Sequence, residues 1–246
     1  GNCRTVAGVP PDYFSATGQL WGNPHYKWEQ MAKDDYQWWT QRLQQLLKQV
    51  DYVRVDHFRG FEAFWQIPGE AETAEEGCWM KGPGADFFRV LESKFGTLPF
   101  IVEDLGVITP EVDDLKHQFY FPGIKVLHFA LAYDESRRQI KFTCERNSVL
   151  YTGTHDNDTT QGWYEKVAID QPELASCIEQ FVQEQLGIEK NESKDMCCQL
   201  IEFAYQSHAN TVIIPMQDLL CLGSKSRMNL PGTVGDNWGW RCREEV

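Results

Sequence analysis

Three short apolar stretches in this chain each rise to a carboxylate and then break into a polar or glycine-containing loop. They are Tyr52-Val53-Arg54-Val55-Asp56-His57, Phe100-Ile101-Val102-Glu103-Asp104 and Val149-Leu150-Tyr151-Thr152-Gly153-Thr154-His155-Asp156. β-Branched and aromatic residues in runs this short predict strands. An ionised carboxylate at the end of a buried strand is costly unless it is paired, hydrogen-bonded or used. Taken singly, each acid also reads as a helix N-cap or an ion-pair partner. Three of them in successive strand–helix units read as a site. Parallel strands around a barrel would bring the acids to one mouth, the face on which that fold carries its active sites.

The rest of the chain fits such units. Apolar residues at helical spacing from Trp28 to Val50 predict a helix over 26–50, directly before a strand at 52–56. A helix at 85–95, a strand at 99–103 and a helix announced by Thr109-Pro110-Glu111 as cap, first position and acidic first turn come next. Strands are then expected at 124–129, 149–152 and 211–215, with helices at 159–168, 172–186 and 194–207. Five strands separated by helices predict an α/β fold with a parallel sheet. Residues 5–26 read as loop, and the Gly/Glu-rich stretch 59–84 as a long substrate loop. The segment 227–241 reads as ordered loop.

Composition narrows the chemistry. A formal charge of −13 argues against a nucleic-acid partner, which requires a cationic face, and suits a neutral substrate. No apolar run is long enough to span a bilayer. Eight cysteines without a C-x-x-C pair make a poor disulfide framework and a poor zinc site, and read as reduced, mostly buried thiols in a reducing compartment. Nine tryptophans are more telling, because a flat aromatic face packs against the C–H face of a sugar ring. Trp21, Trp65, Trp163, Trp238 and Trp240 lie near the acids or in glycine-rich loops, whereas Trp28, Trp38 and Trp39 sit in the helical stretch and are expected in the core.

Several carboxylates around a neutral, aromatic-lined mouth describe glycosidic bond chemistry. In a retaining mechanism one carboxylate attacks the anomeric carbon while a second, protonated one donates to the leaving oxygen, the two standing about 5–5.5 Å apart. The motifs Val53-Arg54-Val55-Asp56-His57-Phe58-Arg59-Gly60, Val102-Glu103-Asp104-Leu105-Gly106-Val107-Ile108-Thr109 and Gly153-Thr154-His155-Asp156-Asn157-Asp158-Thr159 resemble those of the amylomaltases, or 4-alpha-glucanotransferases (disproportionating enzymes), of the alpha-amylase superfamily. Gly8-Val9-Pro10-Pro11-Asp12-Tyr13-Phe14-Ser15, Thr17-Gly18-Gln19-Leu20-Trp21-Gly22-Asn23-Pro24 and Arg227-Met228-Asn229-Leu230-Pro231-Gly232-Thr233 extend the resemblance along the chain.

The resemblance implies a retaining transfer of α-1,4-glucan segments between maltooligosaccharides, with a maltooligosaccharide or starch-type glucan as partner, no cofactor and no metal. Asp56 would be the nucleophile, Glu103 the general acid/base and Asp156 the third carboxylate. His155 would stabilise the transition state, and Arg54, two residues before Asp56 on the same strand face, would hold that carboxylate ionised. Tyr13, Phe14, Gln19 and Trp21 would belong to a loop over the acceptor side. Asp104 is expected to support the site from behind, and Asp158 to cap a helix. His57, Asn229, Trp238 and Trp240 receive no role.

Two other readings use the same residues: an α-1,4-glucan hydrolase with water as acceptor, and a glucan-binding homologue without catalysis. The resemblance also implies a partial (β/α)8 TIM barrel in which about five units, the fourth to the eighth, are present. Residues 1–246 are then expected to be the C-terminal part of the barrel, with the N-terminal strands missing and the isolated piece inactive. A bacterial cytoplasm and a plastid stroma both suit the reduced thiols.

Overall fold

The computed structural model describes residues 4–12, 15–188 and 195–243. The chain divides into two compact units, residues 1–123 and 124–246.

In the first unit, β1 (Thr5–Val9) pairs antiparallel with β2 (Gln19–Leu20). Two helices follow, α1 (Trp28–Ala32) and α2 (Gln37–Leu46), in place of the single helix expected over 26–50. The break lies at Asp35 and Tyr36, both left-handed with φ of 53° and 51°. Asp tolerates that conformation better than most residues, and the preceding Asp34 carboxylate accepts the N–H of Gln37, capping α2.

Next come β3 (Val53–Val55), a 3-10 turn at Phe58–Phe61, β4 (Ala63–Pro68) and β5 (Cys78–Lys81). The expected loops at 5–26 and 59–84 thus each contribute two strands to one antiparallel sheet in the order β2-β1-β4-β5. Trp65 lies opposite Trp79 across the hairpin. Helix α3 (Gly84–Phe95), β6 (Phe100–Val102) and α4 (Pro110–Gln118) complete the unit, with Thr109 as the extended N-cap residue and Pro110 opening the last helix as expected.

Strands β3 and β6 are parallel, with Val53, Arg54 and Val55 opposite Phe100, Ile101 and Val102, and Val102 also pairs in parallel with Gly123. Only a glycine fits there: a Cβ on Gly123 would lie 2.4 Å from the Asp104 carboxylate. An aromatic core of Phe58, Phe61, Phe87, Phe88, Phe119 and Phe121 packs with Leu91 and Val102. Trp28 and Trp39 pack against it, whereas Trp38, expected in the core, is exposed.

The second unit follows from β7 (Gly123–Val126), whose first residue ends the unit before it. The strand is shorter than the expected 124–129, because α5 (Leu127–Ala130) starts at once. An unexpected hairpin follows, β8 (Leu131–Asp134) with β9 (Gln139–Phe142). Then come β10 (Ser148–Tyr151), α6 (Thr160–Asp170), α7 (Pro172–Leu186), α8 (Met196–Gln206), β11 (Thr211–Ile213) and α9 (Met216–Leu219). The sheet runs β11-β10-β7, with β10 and β11 parallel. Its core joins Leu127, Leu150, Ile178, Val182, Leu200 and Phe203. The N-cap of α6 is Thr159, whose side chain accepts the Gly162 N–H, and not Asp158 as expected.

The seven described cysteines are free. They are not mostly buried: Cys197 is, while Cys78, Cys198 and Cys242 are exposed.

Candidate active site

Asp56 and Glu103 each stand one residue beyond a strand, after Val55 and Val102. Main-chain hydrogen bonds lock the two strand ends together. The Glu103 N–H donates to the Val55 carbonyl at 2.9 Å, and the Phe58 N–H to the Glu103 carbonyl at 3.0 Å. Asp56 and His57 are the residues enclosed between those bonds.

The two carboxylates stand in different surroundings. Asp56 is 75 % exposed and accepts the Arg54 guanidinium at 2.6 Å. The cost of a buried charge therefore falls on Glu103, not on Asp56. Glu103 is half-buried and accepts two main-chain N–H groups, from His57 to Oε2 and from Leu105 to Oε1, both at 2.8 Å. Burial raises its pKa above the ordinary glutamate value, with the Asp56 charge adding to the rise, while the two N–H groups and Arg54 oppose it. The result is an exposed, arginine-held carboxylate beside a half-buried one with a raised pKa.

His57 is the residue that sequence reasoning passed over. It is left-handed (φ 48°), and its N–H is the donor to Glu103 Oε2. A Cβ at Gly60 would lie 3.1 Å from the His57 ring, so the glycine makes room for it. The ring stands edge-on to Trp21, centroids 4.7 Å apart at 89°. Burial takes the imidazole down to about 4, against a smaller upward pull from Asp56. Trp21 in turn donates its indole N–H to the Gln19 side chain at 3.1 Å. Gln19 and Trp21 are thus linked through His57 to Glu103. Tyr13 and Phe14 lie outside the described residues. The hint for His57 in the sequence was Gly60, three residues on.

Behind Glu103, Asp104 forms a buried ion pair with Lys116 at 2.8 Å, consistent with a supporting role. Arg59 lies over the Trp79 ring, 4.0 Å from its centroid, and donates to the Val107 carbonyl. It ties the β4–β5 hairpin to the loop after β6.

In the second unit, His155 and Asp156 lie in the loop after β10, both exposed. Asp156 accepts the Asn229 side-chain amide at 2.7 Å and His155 Nε2 lies 3.4 Å away. Arg227 donates to the Asp156 carbonyl at 2.6 Å. Trp238 packs on the His155 ring at 5.2 Å. The roleless Asn229 and Trp238 of the sequence therefore contact predicted site residues. Beneath this loop Asp218, also missed, is 1 % exposed and accepts Thr152 Oγ1 and the N–H and Oγ1 of Thr160, at 2.6–2.8 Å. A groove in this unit is lined by His155, Asn157, Asp158, Gln217, Asp218 and Arg227 among others.

Among the described residues no cluster of three or more His, Cys, Asp or Glu is placed to hold a metal ion, and no helix is long and apolar enough to cross a membrane.

Parallel βα units with carboxylates just beyond the strand ends, one held on an arginine and one with a raised pKa, are an arrangement suited to an α/β enzyme of acid–base chemistry. The sequence pattern of the 4-alpha-glucanotransferases matches residues 2–245, and the chain belongs to that family. It is 49 % identical over 98 % of its length to the 4-alpha-glucanotransferase of Synechocystis, of which it covers 46 %. It is 44 % identical over 96 % of its length to the chloroplastic/amyloplastic 4-alpha-glucanotransferase of Arabidopsis thaliana, of which it covers 39 %. Its fold is similar to that of the amylomaltase of Streptococcus agalactiae in complex with acarbose, with a TM-score of 0.86 at 36 % identity, over 99 % of this chain and 48 % of that one. The chain spans about half the length of the curated relatives it matches.

Proposed function

We propose that this chain carries the reacting carboxylates of a retaining 4-alpha-glucanotransferase, in about five units, the fourth to the eighth, of a (β/α)8 barrel. Asp56 attacks the anomeric carbon of an α-1,4-linked glucan, and Arg54 holds that carboxylate in place. Glu103 protonates the leaving 4-oxygen, then acts as base as the 4-hydroxyl of a second glucan displaces Asp56. His155 and Asp156 bind sugar hydroxyls and the oxocarbenium-like state, with Asn229 and Arg227 fixing Asp156. Trp21, oriented by Gln19, and Tyr13 and Phe14 guide the acceptor.

The observation that carries this reading is the contrast within the pair: an exposed Asp56 on Arg54 against a half-buried Glu103 with a raised pKa. A carboxylate held on arginine beside one with a raised pKa suits the roles of nucleophile and acid. A glucan substrate is supported by the family's name and by the acarbose bound to the S. agalactiae amylomaltase. The Synechocystis and chloroplastic relatives support a bacterial cytoplasm or a plastid stroma. Product analysis on maltotriose with the full-length enzyme tests the reading: glucose together with longer oligomers is transfer, and shortening alone is hydrolysis.

A further inference from the structure

The chemistry proposed above uses no thiol, yet the second unit brings two together. Cys198 is on α8 and Cys221 lies just beyond α9, 23 positions later, and their sulfur atoms are 3.4 Å apart. The first is exposed and the second half-buried, so a small reagent reaches the pair from solvent. Cys197 also lies within reach of Cys221, but it is fully buried, its thiol donates to the Asp218 carbonyl, and burial pushes its pKa up. Burial raises the Cys221 thiol as well, so what sets Cys197 apart is that it is shielded from solvent while Cys198 is exposed.

We propose that Cys198 and Cys221 form an oxidisable dithiol, a modification site for small peroxides. The Cys198 sulfur attacks one peroxide oxygen, the O–O bond breaks, and a sulfenic acid and one water result. The Cys221 thiol then attacks that sulfur, the S–O bond breaks, the S–S bond forms and a second water leaves. Two thiols lose two electrons and two protons to one hydrogen peroxide, which becomes two waters. An external dithiol reverses the step by exchange.

The cross-link would join α8 to the segment that carries Asp218 and Ser224. Asp218 holds Thr152 and Thr160, and the Ser224 hydroxyl donates to Asp158 at 2.8 Å. Those contacts flank the loop of His155 and Asp156, so the bond would brace that loop from below.

The test is mild oxidation of the purified protein with hydrogen peroxide, alkylation of remaining thiols and peptide mapping by fragmentation mass spectrometry. The expected product is two hydrogens lighter, linked between Cys198 and Cys221, reversed by dithiothreitol and retained in Cys197→Ala. It is absent from Cys198→Ser and Cys221→Ser, and in guanidinium the pairing becomes unselective. Linkage chiefly to Cys197, oxidation of Cys198 to a sulfinic acid without linkage, or pairing no more selective in the native protein than in guanidinium would each overturn the proposal.

Discussion

The main-chain N–H of His57 donates to the carboxylate of Glu103, 46 positions away, at 2.8 Å. One hydrogen bond thereby fixes the carboxyl group with the raised pKa to the residue that follows Asp56. It depends on a left-handed backbone at His57, which costs a non-glycine residue on the order of 1 kcal/mol.

His57→Ala loses the edge-on contact to Trp21 and fits the left-handed backbone less well, whereas His57→Asn loses the ring but tolerates that backbone. Both should lower kcat/KM, by roughly tenfold. A donated N–H favours the charged carboxylate, so weakening it raises the Glu103 pKa. The alkaline limb of the pH–rate profile should therefore move up in His57→Ala and stay in His57→Asn. An unmoved limb in both variants would separate His57 from Glu103.

Asp56→Asn removes the attacking oxygen while leaving the fold, because the side chain is exposed. In the full-length enzyme turnover should fall at least ~10⁴-fold, with glucan binding largely kept. Retention of even about a tenth of wild-type turnover would contradict the assignment of the nucleophile.

Much of this arrangement was legible in the sequence, and the limits have physical causes. Helix starts at Pro110 and Pro172 carried their own signals, and the apolar runs before Asp56 and Glu103 marked the parallel strands. The antiparallel sheet was hidden because β1 and β4 lie some 60 positions apart with proline and glycine loops between, so no local period links them. The break at Asp35–Tyr36 was masked by apolar spacing that continues across it. Arg227 and Asn229 reach Asp156 over 71 and 73 positions, a relation no local pattern contains. Asp218 drew no reading from the sequence, because the Thr152 and Thr160 that bond it lie 66 and 58 positions away.

The buried ion pair of Asp104 and Lys116 gives a stability test. Lys116→Met removes the cation beside a carboxylate that is 3 % exposed, and should cost about 3 kcal/mol in urea unfolding. Adding Asp104→Asn should recover part of that loss. A neutral single variant would mean that the pair contributes nothing.

Acid should destabilise the fold before the carboxylates titrate. Burial lowers His57 to about 4 and His128 to about 3, the latter stacked on Trp163 with Nε2 on the Thr160 hydroxyl. Below the ordinary value of 6.5 the unfolded chain takes up protons that these rings refuse. Their contribution is therefore full above pH 6.5 and is lost as the pH falls toward 4 and 3. At pH 5 the loss is on the order of 1–2 kcal/mol for each. Urea unfolding at pH 7 and 5 measures it, and His128→Phe should remove about half the difference. A stability unchanged between the two pH values would contradict the burial of both rings as neutral groups.

The central claim is that Asp56 bonds to sugar while Glu103 handles the proton, and trapping the intermediate tests it most directly. Glu103→Gln in the full-length enzyme, given a maltooligosyl fluoride whose leaving group needs no protonation, should accumulate an ester, because the second step lacks its base. Mass spectrometry of the digested protein should find the added glycosyl mass on the peptide containing Asp56. The same mass on another carboxylate, or release of sugar with inverted anomeric configuration and no adduct, would contradict the account.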